Sequence, residues 1–411
     1  MKQLLHTPEG VRDIYNGECG KKLTLEQKLH QVFCLYGYQD IQTPTFEFFD
    51  VFREEIGTIS SKELYRFFDN EGNILALRPD ITPSIARVCA TLFEEEEMPL
   101  RLCYTGNIFI NHSSYQGRLK ENTQMGAELV GDTTPEADAE MIALVIESMK
   151  SVGLKEFQLS VGHGEFLKGL IESAVLSEKE EQKVQKLINN RNFFGLFDFL
   201  EKVGVSREVT QAFQSLNELV GGVEILSEAY KISSDDKCVQ AVKRLERIYD
   251  LLKIYGLEKY ITFDLGLSGG AYEYYTGVIF RCYTYGSGDA IVKGGRYDHL
   301  IEKFGKEAPS IGFAIVVDEV IEALDRQKIE VSSSPGNTLI VYNEGLEEKA
   351  ITKAKDLRLK GENVQILMKS GNKEIDDYKD YGKKYNAKSL ILITGDENEI
   401  FDLCSGKGPA C

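Results

Sequence analysis

The chain has 411 residues, of which 48 are basic and 65 acidic, giving a formal net charge of −17. That length predicts two or three domains, and 42% apolar residues with 9 prolines and 37 glycines is an ordinary globular mix that excludes a disordered or collagen-like chain. The acidic excess argues against sequence-independent binding to nucleic acid or to an anionic membrane, because such binding runs on Lys and Arg.

No apolar segment near Met1 suits a signal peptide, and no uncharged run of about 18 apolar residues occurs, so no membrane span is expected. Residues 20–36 carry Leu23, Leu25, Leu29, Val32, Phe33 and Tyr36 at helical spacing; Gly37 ends that helix and 38–44 reads as a strand. Ile74–Leu77 is a short strand running into Arg78-Pro79-Asp80-Ile81-Thr82-Pro83, where Thr82 is placed to cap a helix. Residues 100–110 and 123–130 are strands joined by a polar loop, Thr134-Pro135 opens a helix to about Val152, and 157–161 is a strand.

From 165 to about 259, helical spacing and dense charge, broken at Gly195, Gly204 and Gly221-Gly222, predict a helical insertion. Strand character returns at 261–265 and continues through a block rich in glycine and tyrosine to Val317. Residues 326–337, containing Ser332-Ser333-Ser334-Pro335-Gly336, read as a linker. Beyond it, strands at 338–342, 364–368 and 389–393 alternate with two helices, the pattern of a small α/β domain with a largely parallel sheet. The expected organisation is a core over 1–325 and an α/β domain over 338–411.

Eight cysteines (19, 34, 89, 103, 238, 282, 404 and 411) show no C-x-x-C and no His/Cys metal spacing, so they read as reduced cytosolic thiols with no metal and no cofactor. Cys404 and Cys411 alone are placed to pair, free thiols being the plainer reading.

Three blocks carry chemistry on residue type alone. Asp80 and Thr82 stand where a strand meets a helix, beyond a sheet edge; the plain alternative is capping. Period-two alternation puts Gln124, Gly126 and Glu128 on one strand face. An amide and a carboxylate flanking a glycine suit a small cationic ligand, with Gly126 giving it room, unless that face is simply solvated. The third block is Gly269-Gly270-Ala271-Tyr272-Glu273-Tyr274-Tyr275-Thr276-Gly277 with Lys293-Gly294-Gly295-Arg296-Tyr297-Asp298. Its tyrosines suit a pocket for a planar ring, or equally a sheet with no ligand. No glycine block has P-loop spacing, and the five histidines are dispersed.

In order, these blocks resemble the core of class II histidyl-tRNA synthetases over roughly residues 1–325. Thr7-Pro8-Glu9-Gly10-Val11-Arg12-Asp13 resembles the family's opening, and residues 36–49 resemble motif 1, which implies a dimer interface. Leu77-Arg78-Pro79-Asp80-Ile81-Thr82-Pro83 is similar to the first histidine-pocket segment, and residues 100–128 to the motif 2 hairpin. Residues 271–280 are similar to the histidine signature, and 293–315 to the run into motif 3. The resemblance implies an α+β fold on a class II synthetase-like antiparallel sheet, with the C-terminal domain a shortened anticodon-binding domain. It also implies a histidine pocket of Asp80, Thr82, Arg118, Gln124, Glu128, Tyr274, Tyr275 and Tyr297. There Glu128 and a tyrosine hydroxyl hold the imidazole nitrogens, while Asp80, Thr82 and Gln124 receive the amino group.

The cations of that family are missing. The motif 2 Arg falls on Ile110, its companion acid on His112, the signature Arg on Gly270, and the motif 3 Arg on Glu319 with reversed charge. Losing one such donor typically costs on the order of 10²–10³ in rate, and losing three leaves little to hold a triphosphate. A synthetase-like core that keeps amino-acid contacts and drops ATP contacts resembles the regulatory subunits of ATP phosphoribosyltransferase. That resemblance implies a non-catalytic, cytoplasmic chain in a hetero-oligomer with the short-form catalytic subunit, acting at the first step of L-histidine biosynthesis. Histidine is then an allosteric feedback ligand, and coupling of about 1–3 kcal/mol suffices. The alternatives are an active histidyl-tRNA synthetase with relocated arginines and another non-catalytic amino-acid-binding paralogue. Against the first, residues 331–411 hold 12 Lys/Arg and 13 Asp/Glu, with no excess of base for tRNA.

Overall fold

The structure is a computed structural model that describes residues 5–53, 60–112, 118–268, 275–331, 336–395 and 398–403. The predicted linker serines, Gly270, Tyr274, Cys404 and Cys411 therefore lie outside the described residues. The chain divides into two compact units, residues 1–13 with 25–330 and residues 14–24 with 331–411.

The elements begin with α1 (Asn16–Leu35), β1 (Gln39–Asp40), β2 (Phe46–Phe48), β3 (Arg66–Phe68), β4 (Ile74–Leu77) and α2 (Thr82–Thr91). Next come β5 (Leu100–Phe109), β6 (Glu121–Val130), α3 (Pro135–Ser151) and β7 (Phe157–His163). A helical stretch follows, with α4 (Gly164–Ser173), α5 (Glu178–Asn189), α6 (Phe193–Lys202), α7 (Arg207–Ser215), the short β8 (Val220–Gly221), α8 (Glu224–Ile232) and α9 (Asp236–Tyr255). Then β9 (Ile261–Asp264), β10 (Val278–Thr284), β11 (Val292–Arg296), β12 (Ser310–Val316) and α10 (Val317–Arg326) complete the first unit.

One sheet in the order β1-β5-β6-β12-β11-β10-β7-β9-β8 forms the body of that unit. Its pairings are antiparallel except β1 with β5 and β7 with β9. Long antiparallel β5 and β6 pair from Leu100↔Val130 to Phe109↔Glu121, which fixes what stands opposite each pocket residue. The α3 helix is buried on nearly every side, as expected for a helix lying between β12 and α9. Thr134 caps it as predicted, its side chain accepting from Ala137 N.

Four sequence expectations are corrected. Helix α1 buries only Leu25, Leu29 and Phe33, spaced every fourth residue, and Leu23 is exposed, so its apolar stripe is narrower than the spacing suggested. Of the strand expected at 38–44, only Gln39–Asp40 pairs. Gly195 does not break a helix but sits in the first turn of α6, its N–H held by the Asn192 side chain. Thr82 does not cap α2, whose N-terminus has no side-chain cap.

A smaller sheet, β2-β4-β3, lies against Val51, Phe52, Leu64 and Ala76 and leaves Phe46, Phe48, Phe67, Phe68 and Ile74 exposed. The second unit holds β13 (Asn337–Tyr342), α11 (Glu347–Leu359), β14 (Val364–Met368), α12 (Ile375–Lys384), β15 (Ala387–Ile393) and β16 (Asn398–Asp402). Its sheet order is β14-β13-β15-β16, parallel except for the last strand, which the sequence reading did not anticipate. No helix among the described residues is long and apolar enough to cross a membrane.

Candidate functional site

The pocket is built where the β4–α2 junction meets the β6–β12–β11 part of the large sheet. Arg78 sets the junction: its guanidinium donates to the carbonyls of Thr43 and Asn107 at 2.9 and 2.8 Å and is spent there. Asp80 accepts from Ile81 N at 2.8 Å, turning the chain into α2. That leaves the Thr82 hydroxyl free to donate to Glu128 Oε1 at 2.9 Å, which is why it does not cap the helix.

Glu128 is 1% exposed, and its second oxygen accepts from the Tyr297 hydroxyl at 2.5 Å. Burial pushes its carboxyl up to about 8, against the two hydroxyl donors that pull it down. Gly312 stands directly across from Glu128 in the β6–β12 pairing, and a side chain there would collide with the carboxylate. Tyr297 is anchored through its neighbour Arg296, which donates to Asp138 Oδ1 at 2.6 Å and to the Asp132 carbonyl at 2.8 Å.

The same cross-strand device recurs one pair along. Tyr104 is opposite Gly126, and its ring occupies the space a side chain at 126 would need. The room that sequence assigned to a ligand at Gly126 is thus filled by Tyr104. The buried Gln124 Oε1, on the same β6 face as Glu128, has no hydrogen-bond partner among the described residues. An unsatisfied buried polar group costs about 1–3 kcal/mol, which a polar ligand recovers. Asp80, Thr82, Glu128, Tyr275, Lys293 and Tyr297 line a cavity of about 20 Å³, room for about one water.

Arg118 belongs to a different quarter. It is exposed, and its charge acts on His112, Asp289 and Glu319. Glu319, in the first turn of α10, has its carboxyl raised by burial and by the neighbouring Glu322 and Asp289, with Lys293 and Arg118 opposing. Lys293 is paired with Asp289 at 2.9 Å and touches both quarters. Ile110 is half-buried and packs against the clusters that contain Phe52, Leu64, Ile81 and Ile85. At Ile110, where the resemblance implies a triphosphate-binding arginine, this chain has an apolar seat.

The model for the histidyl-tRNA synthetase family matches residues 10–320. The chain is 38% identical over 404 residues to the ATP phosphoribosyltransferase regulatory subunit of Acetivibrio thermocellus, spanning 98% of this chain and 96% of that one. It is 39% identical over 374 residues to that of Thermoanaerobacter pseudethanolicus, spanning 91% and 97%. The chain belongs to this family. A Bacillus halodurans structure described as an ATP phosphoribosyltransferase regulatory subunit/histidyl-tRNA synthetase superposes with a TM-score of 0.86 at 30% identity, over 96% of this chain and 99% of that one. Histidyl-tRNA synthetase from Nostoc shares the fold, with a TM-score of 0.82 at 22% identity over 98% and 95%.

As a member of the family, the chain has the role of an ATP phosphoribosyltransferase regulatory subunit in histidine biosynthesis, and it is the non-catalytic partner of a catalytic subunit. Three residues that shape the regulatory subunit's pocket were outside the sequence-based set: Tyr104, Gly312 and Lys293. Lys293 was visible in the Lys293-Gly294-Gly295 run. The other two are legible only once Tyr104↔Gly126 and Gly312↔Glu128 are known to be paired.

Proposed function

We propose that the Glu128 pocket is the histidine feedback site, and that the chain relays its occupancy to a short-form ATP phosphoribosyltransferase catalytic subunit at the first step of L-histidine biosynthesis, in the cytoplasm. The observation that carries this is Glu128 itself, a fully buried carboxylate framed by the hydroxyls of Thr82 and Tyr297. A buried acid held by hydroxyl donors suits a cationic or N–H-bearing ligand that ionises it. Glu128 and Tyr297 take the imidazole, Asp80, Thr82 and Gln124 the amino group, and Tyr275 lines the ring. Lys293, which lines the pocket, exchanges its Asp289 partner for the ligand carboxylate. Tyr274 belongs to the proposed set by its place in the signature, and Arg118 acts on the phosphate side.

The cavity is too small for an imidazole, so histidine binds by separating Tyr297 and Glu128. A wall with closed and open arrangements gives the ligand two states to discriminate, which allostery requires. The exposed aromatic face of the β2-β4-β3 sheet, beside residues 36–49, supports self-association there.

The test is co-expression with a short-form catalytic subunit. A stable complex, phosphoribosyl transfer gained over the catalytic subunit alone, and inhibition by histidine are the expected results. E128Q should preserve complex and activity while losing histidine inhibition by at least tenfold in concentration, the discrimination of a buried hydrogen-bonding site. A complex that gains no activity, or one that E128Q leaves equally sensitive to histidine, rules the reading out.

A further inference from the structure

His30 and Cys34 are one helical turn apart on α1, and Asp40 and Cys103 are partners across β1 and β5. His30 Nε2 lies 2.8 Å from Asp40 Oδ1, Cys103 Sγ lies 3.5 Å from that same oxygen, and Cys34 Sγ lies 3.6 Å from His30 Nε2. One donor atom from each of His30, Asp40 and Cys103 falls within 4.8 Å of the others. We propose that His30 Nε2, an Asp40 carboxylate oxygen and the thiolates of Cys34 and Cys103 form a tetrahedral site for a borderline-soft divalent cation, zinc.

The geometry follows from the bond lengths. Zinc sits about 2.3 Å from sulfur and about 2.0–2.1 Å from nitrogen or oxygen, so tetrahedral ligand edges are about 3.5 Å for sulfur with nitrogen or oxygen and about 3.3 Å for nitrogen with oxygen. The Cys103–Asp40 and Cys34–His30 separations, 3.5 and 3.6 Å, already match such edges. The His30–Asp40 hydrogen bond has to open by about half an ångström as the metal replaces its proton. Cys34 Sγ, exposed and beside His30, stands outside that 4.8 Å group and joins it by a change of χ1 rotamer. Two sulfurs and an imidazole select zinc over calcium or magnesium, which take oxygen.

A bound dication favours the thiolate form of its sulfur ligands. The site has a structural use as well. The β1 strand is two residues long at the edge of the sheet, held through β5 alone, and a metal bound from α1, β1 and β5 fastens helix to edge. Cys103 and Tyr104 are successive on β5 and so face opposite sides of the sheet, which sets this site apart from the Glu128 pocket. The linear sequence conceals it because the donors come from three elements.

The test uses the full chain, stripped of metal under reducing conditions. Zinc is titrated against a chromophoric chelator, and cobalt(II) is added separately because thiolate-to-cobalt charge transfer reports sulfur ligation. One zinc per chain, a raised Tm with zinc, and a charge-transfer absorption are expected. C34S should cut that absorption by about half, being one of two sulfurs, and C34S and H30Q should each weaken zinc at least about tenfold, the lower range for outer partners of metal sites. Both substitutions fall on side chains that reach solvent, so the fold survives them. Cobalt bound without charge transfer, zinc affinity unchanged in both variants, or a Cys34–Cys103 disulfide in anaerobically prepared protein overturns the site.

Discussion

Glu128 carries the consequence of burial furthest. Its carboxyl is raised from 4.5 to about 8 in the folded chain, chiefly by desolvation. The folded state therefore binds more protons than the unfolded one between those values, so stability falls as pH rises. The contribution is complete below about 4.5 and is lost as pH climbs through about 8. E128Q removes the titrating group while keeping its shape, at the loss of one of the two donated hydroxyl bonds. It should flatten the decline in Tm between pH 6 and 9 and leave the variant about 2–4 kcal/mol more stable than the parent at pH 9, after discounting that bond. Urea titrations at a series of pH values measure this; parallel curves for the two proteins would show that Glu128 does not titrate there. The proposed histidine binding would draw on the same linkage, because a cationic ligand ionises Glu128 and releases its proton.

At the scale of elements, the β2-β4-β3 sheet pairs a buried face with an aromatic one. Phe46 is 52% exposed and Phe48 58%, and with Phe67 they share the face opposite the buried Ala76. Phe46 and Phe67 already meet edge to face at 5.8 Å, so the surface is ordered before any partner covers it. Covering a phenylalanine is worth about 1.5–3 kcal/mol, so F46E with F48E should weaken the proposed self-association at least about 100-fold without touching the core. Sedimentation across a concentration series reads this, and a double variant that dimerises as tightly as the parent would locate the interface elsewhere. The sheet also shows why some elements were legible and others were not. The helices over 165–259 declare themselves by period, and the strand over 310–316 by a short apolar run. The β16 strand, Asn-Glu-Ile-Phe-Asp, is mostly polar and exists because β15 offers it an edge. Thr82 looked like a cap because its position before a proline is what caps have, yet a buried carboxylate 46 positions away claimed its hydroxyl.

Across the whole molecule, the surplus of 17 negative charges is echoed locally where a synthetase needs cations. The resemblance sets Ile110 and Glu319 where a synthetase carries cations, but residue type alone says nothing of their setting. Ile110 has joined the apolar packing of Phe52 and Ile81, and Glu319 stands with Asp289 and Glu322 against a Lys293 already paired. Restoring one arginine therefore does not restore the chemistry. An arginine at 110 displaces core packing, and one at 319 meets a pair of carboxylates with no phosphate yet to share. The purified chain, and E319R as well, should give no histidine-dependent ATP–pyrophosphate exchange, with rates at least about 10²–10³ below a synthetase because each preorganised donor contributes that much. Exchange above the background of a heat-killed control would mean that other cations gather the triphosphate. The same assay run with the catalytic subunit present separates the two roles, since a regulatory subunit changes phosphoribosyl transfer while pyrophosphate exchange stays silent.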